Sequence, residues 1–393
     1  MPQTHLHLDL ETFVGSVDLR DVGAYRYANS HDAEILCAAM AINDEEPVVW
    51  YPGAEIDEKY WDALEDPDVL IYAFHAAFEM AMLQACCWKT WGIKCPNLRR
   101  FRCVQSLARR AALPAKLETL GEALNLPFKK DTRGKALIKK FSVLQPAKKP
   151  SKKHPHGLPP RRIYPKDDPE AFAEFCEYCR GDVKAEQGAA HRLAYFDEPI
   201  NNSNYSLDAI INARGVTVNL KALRHAQKLI EEETEIVSAK FRELCGFEVT
   251  QNAKLLEWVN ANGWKFENLQ AETVDSFLED HEGEEATSEV IQALRLKQSI
   301  AYASIKKVKA MLECCGPHDN RIRGMLNHHG ATTGRWTASL VQFQNMKRPT
   351  VKHTEEAYRE ICNGISREML EICYGPVLEV ISSCIRHFVH DCD

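Results

Sequence analysis

Nowhere in this 393-residue chain does an apolar run reach the length needed to cross a bilayer, and the N-terminus lacks the basic-then-apolar order of an export signal. No membrane is expected as a partner, and a cytoplasmic protein is expected. Also missing is a second cysteine pair at zinc spacing. Cys176 and Cys179 form the one Cys-x-x-Cys, inside a helical pattern, and a structural zinc needs four ligands. Fourteen cysteines scattered through so long a chain suit reduced thiols better than a disulfide framework. No internal repeat is visible. The surplus of positive charge that marks many nucleic-acid binders is absent too, with 49 Lys and Arg against 56 Asp and Glu and a net charge of −7. The charge is uneven, however. Between Phe128 and Lys166 there are thirteen Lys or Arg and one acid, Asp131. That basic stretch suits a long anionic ligand, and its part AKKPSKKHPHGLPPRR reads as a surface loop, either solvated or in contact with that ligand.

What is present is the composition of a globular protein, 45% hydrophobic and 27% charged, in a chain long enough for two or three domains. The first strand, Thr4 to Thr12, reads THLHLDLET. Leu6, Leu8 and Leu10 alternate with His5, His7, Asp9 and Glu11, so the leucines face a core while Asp9 and Glu11 project from the other face, roughly 6 to 7 Å apart. Two carboxylates so placed repel one another unless a cation lies between them, and hard divalent ions take oxygen ligands of this kind. Taken alone the pair also suits a solvated strand edge. His5 and His7, upstream on the same face, read as structural.

Further strands are expected at Glu34 to Ile42, Pro47 to Tyr51 and Val69 to Phe74, and helices at Ile56 to Leu64, Ala76 to Trp88, Val104 to Ala112 and Leu117 to Leu124. Asp168-Pro169-Glu170 opens a helix running to about Phe196, with a capping residue, proline in the first turn and an early acid. Tyr178 and Asp182 lie four apart on it and share a face. An α/β domain therefore ends near Asp197. Beyond Pro199 long amphipathic helices are expected over Leu220 to Leu244, Ala253 to Asn260 and Thr287 to Cys314. An extended piece at Ile322 to Leu326, a loop, and helices at Thr354 to Glu371 and Pro376 to Phe388 close the pattern.

The acids Asp9, Glu11, Glu79 and Asp182, with Tyr178 one turn before the last, resemble in their order the exonuclease superfamily named for its Asp-Glu-Asp-Asp acids, in the branch with a tyrosine before the final acid. That resemblance implies a ribonuclease H-like fold with a mixed sheet and two magnesium or manganese ions. It implies that Asp9 bridges both ions, that Glu11 and Asp182 hold the ion carrying the attacking water, that Glu79 completes the site and that Tyr178 orients the water. Two positions depart from the family pattern. Glu79 stands where Asp is common, keeping a carboxylate one methylene longer, and His75 replaces the usual Asn four residues before it; His75 reads equally as a structural residue capping the strand.

The stretch Gly330 to Arg348, GATTGRWTASLVQFQNMKR, resembles the segment that opens the polymerase palm of family A DNA polymerases, in the phage-like branch, through Thr333-Gly334-Arg335-Trp336 and Gln344-Asn345. INARGVTVN from Ile211 and ALRLKQ from Ala293 resemble that family's entry to the thumb and its thumb helix. The resemblance implies a 3′-to-5′ exonuclease domain over 1–197, a helical thumb over 198–320 and the start of a palm over 321–393. It makes DNA the partner, as a single-stranded 3′ end and as a primer-template duplex, in a bacterium or a phage-infected host. Arg335 offers a planar fork to phosphate or a base edge, and Gln344 and Asn345 suit the acceptors of the minor groove. The acids that would serve nucleotide addition in the family lie beyond the last matching helix; Asp391 and Asp393 lack their context and read as a tail. Nucleotidyltransferase activity is therefore not expected from these residues alone, and a second chain carrying the rest of the palm and the fingers is an expected partner. An incomplete palm is expected to leave a large apolar area exposed near the C-terminus. Two alternatives stay open: a DNA-binding assembly module with an inactive exonuclease, and an RNA-trimming nuclease, which would leave the Thr-Gly-Arg-Trp stretch without a role.

Overall fold

The structure is a computed structural model that describes residues 3–127, 133–150, 155–283, 288–300 and 303–389. The leucine alternation at the N-terminus produces strand β1 (His5–Phe13), and β2 (Glu34–Ile42) and β3 (Val48–Trp50) continue the sheet outward on one side. β4 (Leu70–Ala73) and β5 (Phe101–Cys103) continue it on the other, in the order β3-β2-β1-β4-β5. β1 runs antiparallel to β2 and parallel to β4, so the sheet is mixed. Between Glu11 and Thr12 the register with β2 slips by one residue: Glu11 pairs with Cys37, and Thr12 pairs with Ile35. This bulge turns Leu36 and Cys37 to the same side of the sheet.

Helices cover both faces. On the leucine face lie α1 (Leu19–Ala28), α2 (Lys59–Glu65), α3 (Ala76–Trp91) and, further along the chain, α8 (Pro199–Arg214), sharing a core with Leu6, Leu8, Leu10, Met40 and Ile71. The opposite face is covered by α4 (Val104–Arg110), α5 (Leu117–Ala123), α6 (Gly134–Phe141) and the long α7 (Pro169–Arg192), whose Phe172, Phe175, Cys179 and Val183 pack against Phe13, Cys37, Ala39 and Ala41. Asp168 caps α7 by accepting from Ala171 N at 3.1 Å, as its sequence signature requires. Of the lysine- and proline-rich stretch, the described residues are tied by antiparallel backbone bridges, Gln145 to Arg161 and Lys148 to Leu158, a more regular arrangement than the expected loop.

Contacts divide the chain into two compact units, 1–216 with 314–342 and 217–313 with 343–393. These boundaries differ from sequence divisions at 197 and 320, because α8 shares the core on the leucine face of the sheet and the extended piece after 314 is bonded to α8 through Asn212 and Leu326. The second unit is helical: α9 (Leu220–Cys245), α10 (Asn252–Ala261), α11 (Ala271–Asp280), α12 (Glu289–Ile300), α13 (Ala303–Cys314), α14 (Thr354–Asn363), α15 (Arg367–Tyr374) and α16 (Val377–Ser383). The single helix expected over Thr354 to Glu371 is two, because Gly364 takes a left-handed φ of 88° that ends α14. The apolar area expected near the C-terminus is mostly covered: Leu370, Val377, Leu378, Val380, Ile381 and Phe388 are buried, and Met369 and Ile372 remain exposed. Among the described residues no helix is long and apolar enough to cross a membrane.

Candidate functional site

The carboxyl ends of the parallel pair β1 and β4 point the same way, and two residues separate the end of β4 from the start of α3. Asp9 and Glu11 stand near that end of β1, on the face toward α7, while Glu79 lies in the first turn of α3, where the helix dipole favours negative charge. α7 brings Tyr178 and Asp182 across the same face. Asp9, Glu11 and Asp182 each act electrostatically on Tyr178, and Asp9 also acts on Glu79. The phenol of Tyr178 is held far above its ordinary value, by burial first and then by the charges of Asp182, Glu11 and Asp9. Glu79, only 3% exposed, is raised well above the carboxylate range, by burial first and then by the charge of Asp9. Its Oε2 is buried without a hydrogen-bond partner.

Such a group favours the protonated form in the folded chain. Its penalty is absent below the ordinary carboxylate range and grows as pH rises toward the folded value. Glu79→Gln is therefore expected to raise the melting temperature at neutral pH, by about 4 to 8 °C for each kcal/mol relieved in a small domain and about half that in a larger one, checked by calorimetry of parent and variant.

Crowded, desolvated carboxylates with an orphaned oxygen are the donor chemistry that a hard divalent ion satisfies. Among the described residues no three His, Cys, Asp or Glu side chains are gathered closely enough to hold a metal ion. The fit thus rests on the donor set and the unpartnered Glu79 oxygen. His75, the residue before α3, makes no side-chain cap hydrogen bond to that helix and is exposed.

Three supports of this cluster escaped the sequence. Cys179 donates to Asp9, its Sγ 3.5 Å from Oδ2 and 3.6 Å from the carbonyl oxygen. Gly134 at the start of α6 makes room for the Tyr178 ring; a Cβ there would lie 2.1 Å from Tyr178 Cε2. One helical turn past Asp182, Glu186 reaches His7, Oε2 to Nδ1 at 2.6 Å, with both side chains buried. Burial alone would lower the His7 pKa, and the Glu186 carboxylate overrides it and raises it. The residue spacing of four from Tyr178 to Asp182 to Glu186 was the one available signal.

The basic stretch is partly neutralised, with Arg133 near Glu174 at 3.4 Å, Arg162 on Glu34 at 2.7 Å and Lys140 on Asp168. Arg335 is exposed in a turn of the first unit, where Gly334 adopts φ 79° and its N–H donates to Ala331 O. Gln344 and Asn345 are exposed in a short 3₁₀ turn of the second unit, so the motif straddles the boundary. Asp391 and Asp393 lie outside the described residues.

The turn is anchored by Trp336, whose Nε1 donates to Asp208 Oδ1 at 2.7 Å, while Asn212 donates to the other oxygen and to Leu326 O. His328 packs edge-on to Trp336 and bonds Ser106 Oγ at 2.6 Å. Burial pushes the Asp208 carboxyl up to about 6, against the bonds from Trp336 and Asn212, and pushes His328 down to about 4. The two act oppositely on stability. The Asp208 penalty appears as pH rises from its unfolded value through about 6, whereas the His328 penalty is full below about 4 and gone above its unfolded value. Between those limits Asp208→Asn should become more stable relative to the parent as pH rises, and His328→Gln less so, each by up to roughly 3 kcal/mol in denaturant titrations.

No family model matches the chain. A protein described as the DNA polymerase of Bacillus phage SP02 is 33% identical over 387 residues, 97% of this chain and 57% of that protein. The chain thus spans little more than half the length of that relative. Among solved structures, the POL domain of Pol1 from M. smegmatis, in complex with DNA primer-template and dNTP, matches over 92% of this chain and 54% of the other, at 14% identity and a TM-score of 0.49.

Proposed function

We propose that this homologue of a phage DNA polymerase works in DNA replication as part of a family A polymerase, its first unit being a ribonuclease H-like 3′-to-5′ exonuclease that trims single-stranded DNA ends to nucleoside monophosphates. The observation that supports the reading is the electrostatic coupling of Tyr178 to Asp9, Glu11 and Asp182, and of the buried Glu79 to Asp9. These four carboxylates would hold two magnesium or manganese ions, which when bound lower the pKa of a water and stabilise the leaving 3′ oxygen. Asp9, whose charge acts on both Glu79 and Tyr178, would be among the residues that hold them. Tyr178, kept protonated by its surroundings, keeps an O–H to orient the water. Gly134 leaves the ring its place, so Gly134→Ala should slow trimming by about tenfold to a hundredfold with the fold intact, read as initial rates beside circular dichroism spectra.

Arg335, Gln344 and Asn345 are assigned to the phosphates and minor groove of a primer-template duplex, a grip that needs no sequence readout. A second reading, a DNA-binding module with an inactive nuclease, is favoured by one observation: no group of three ligands is gathered among the described residues. Incubating the purified chain with a 3′-labelled single strand, with and without magnesium or manganese, separates them. Metal-dependent release of mononucleotides is expected. DNA binding without release would shift the assignment to the module.

A further inference from the structure

Three thiols stand where the strand layer and the helix of the candidate site meet. Cys37 lies opposite Glu11 in the β1–β2 ladder, and the bulge at Leu36 turns it toward α7. Cys176 and Cys179, one turn apart on α7, pack in the same cluster with Phe175 and Val183. Cys37 packs in one cluster with both of them. None is in a disulfide. The three differ in what else they touch. Cys179 is wholly buried and donates to Asp9, and Cys37 is wholly buried as well. Cys176 borders a groove of about 910 Å³ that runs between Val48, Val49 and Tyr51 on one side and Phe172 and Ala173 on the other. A small oxidant in solvent therefore reaches Cys176 first. Its thiol also ionises more readily than an ordinary cysteine, because the neighbouring Cys37 thiol favours its thiolate by more than burial opposes it.

We propose that Cys37 and Cys176 form an oxidisable thiol pair, converted by a hydroperoxide into a disulfide that ties β2 to α7 beside the carboxylate cluster. The Cys176 thiolate attacks the peroxide, so that an S–O bond forms, the O–O bond breaks and hydroxide leaves. Cys37 then attacks the Cys176 sulfur; an S–S bond forms, the S–O bond breaks, and the departing hydroxyl takes the Cys37 proton and leaves as water, while the first hydroxide takes up the proton that Cys176 released on ionising. Two thiols are oxidised by two electrons in all, and one peroxide is reduced to two waters. A disulfide holds its sulfurs about 2 Å apart, well inside the van der Waals distance between two packed thiols, so strand and helix must draw together. Tyr178 and Asp182 ride on the same helix, two and six residues beyond Cys176. The consequence for DNA trimming rests on the proposed exonuclease; formation of the bond does not.

The test uses the full chain, reduced, freed of reductant and treated with hydrogen peroxide. Free thiols are then alkylated, and the chain is digested without reduction for mass spectrometry. The expected product is a Cys37–Cys176 cross-linked peptide, present in the parent and in Cys179→Ser and lost in Cys37→Ser and Cys176→Ser. Trimming of a single-stranded 3′ end should fall about a hundredfold on oxidation, recover with dithiothreitol, and resist peroxide in Cys176→Ser. Absence of the cross-link, a bond joining Cys176 to Cys179 instead, or an oxidised chain that trims at the reduced rate overturns the proposal. A reduced chain that trims no DNA sinks the exonuclease reading, and the peptide map still decides this one.

Discussion

Asp9→Ala and Asp182→Ala are each expected to abolish metal-dependent trimming of a single-stranded 3′ end, by about a thousandfold or more, with the chain still folded. Bound ions at such a site supply several kcal/mol of charge stabilisation, and each 1.4 kcal/mol or so is tenfold in rate. Asp9 has the wider reach in the structure, since its charge acts on Glu79, Tyr178 and Cys179. Asp182 acts on Tyr178, the buried phenol one turn before it. Neither substitution removes core volume, so circular dichroism and the melting temperature should stay near the parent's. Rates measured across a series of magnesium concentrations distinguish lost affinity from lost chemistry. Parent-like rates in both variants would mean that trimming, if present, is done elsewhere.

His7→Ala is expected to destabilise the first unit by about 3 to 5 kcal/mol, the cost of leaving one member of a buried ion pair without the other. The Glu186 side chain is 3% exposed and its Oε1 already has no hydrogen-bond partner, so losing His7 leaves a buried carboxylate without the partner of its Oε2. Replacing both residues by leucine should recover most of the loss, because two apolar side chains carry no desolvation penalty. The pH dependence has a definite sign. The folded His7 pKa lies above its ordinary value, so the pair's contribution is complete below about 6.5 and fades as pH rises through the folded value. Urea unfolding should therefore show a larger parent-to-variant gap at about pH 6 than at about pH 9. A gap that widens with pH would show that the histidine is held neutral.

Much of the sheet was legible because its signals are local. The alternation of Leu6, Leu8 and Leu10 sets β1, and an apolar run bounded by turn residues sets β2 at the residues expected. The start of α7 follows from Asp168 and Pro169. Other elements carried no such signal. β5 is three residues long and holds Arg102 in its middle, so neither length nor periodicity marks it. α1 is interrupted at Gly23, whose positive φ breaks the helical pattern, and α8 opens on the polar run Asn201, Asn202, Ser203 and Asn204.

By itself the sequence determined the carboxylate set, since the order and spacing of Asp9, Glu11, Glu79, Tyr178 and Asp182 are properties of the chain. It also determined the face of β1 on which two of them stand, because a strand has a period of two. Only the tertiary structure decided their company. Glu186 with His7, Cys179 with Asp9, Gly134 beneath Tyr178 and Cys37 packed with the two α7 thiols join positions 44 to 179 residues apart. No local pattern encodes such pairs; they arise because a long helix crosses a bulged sheet, and burial there makes each polar contact strong.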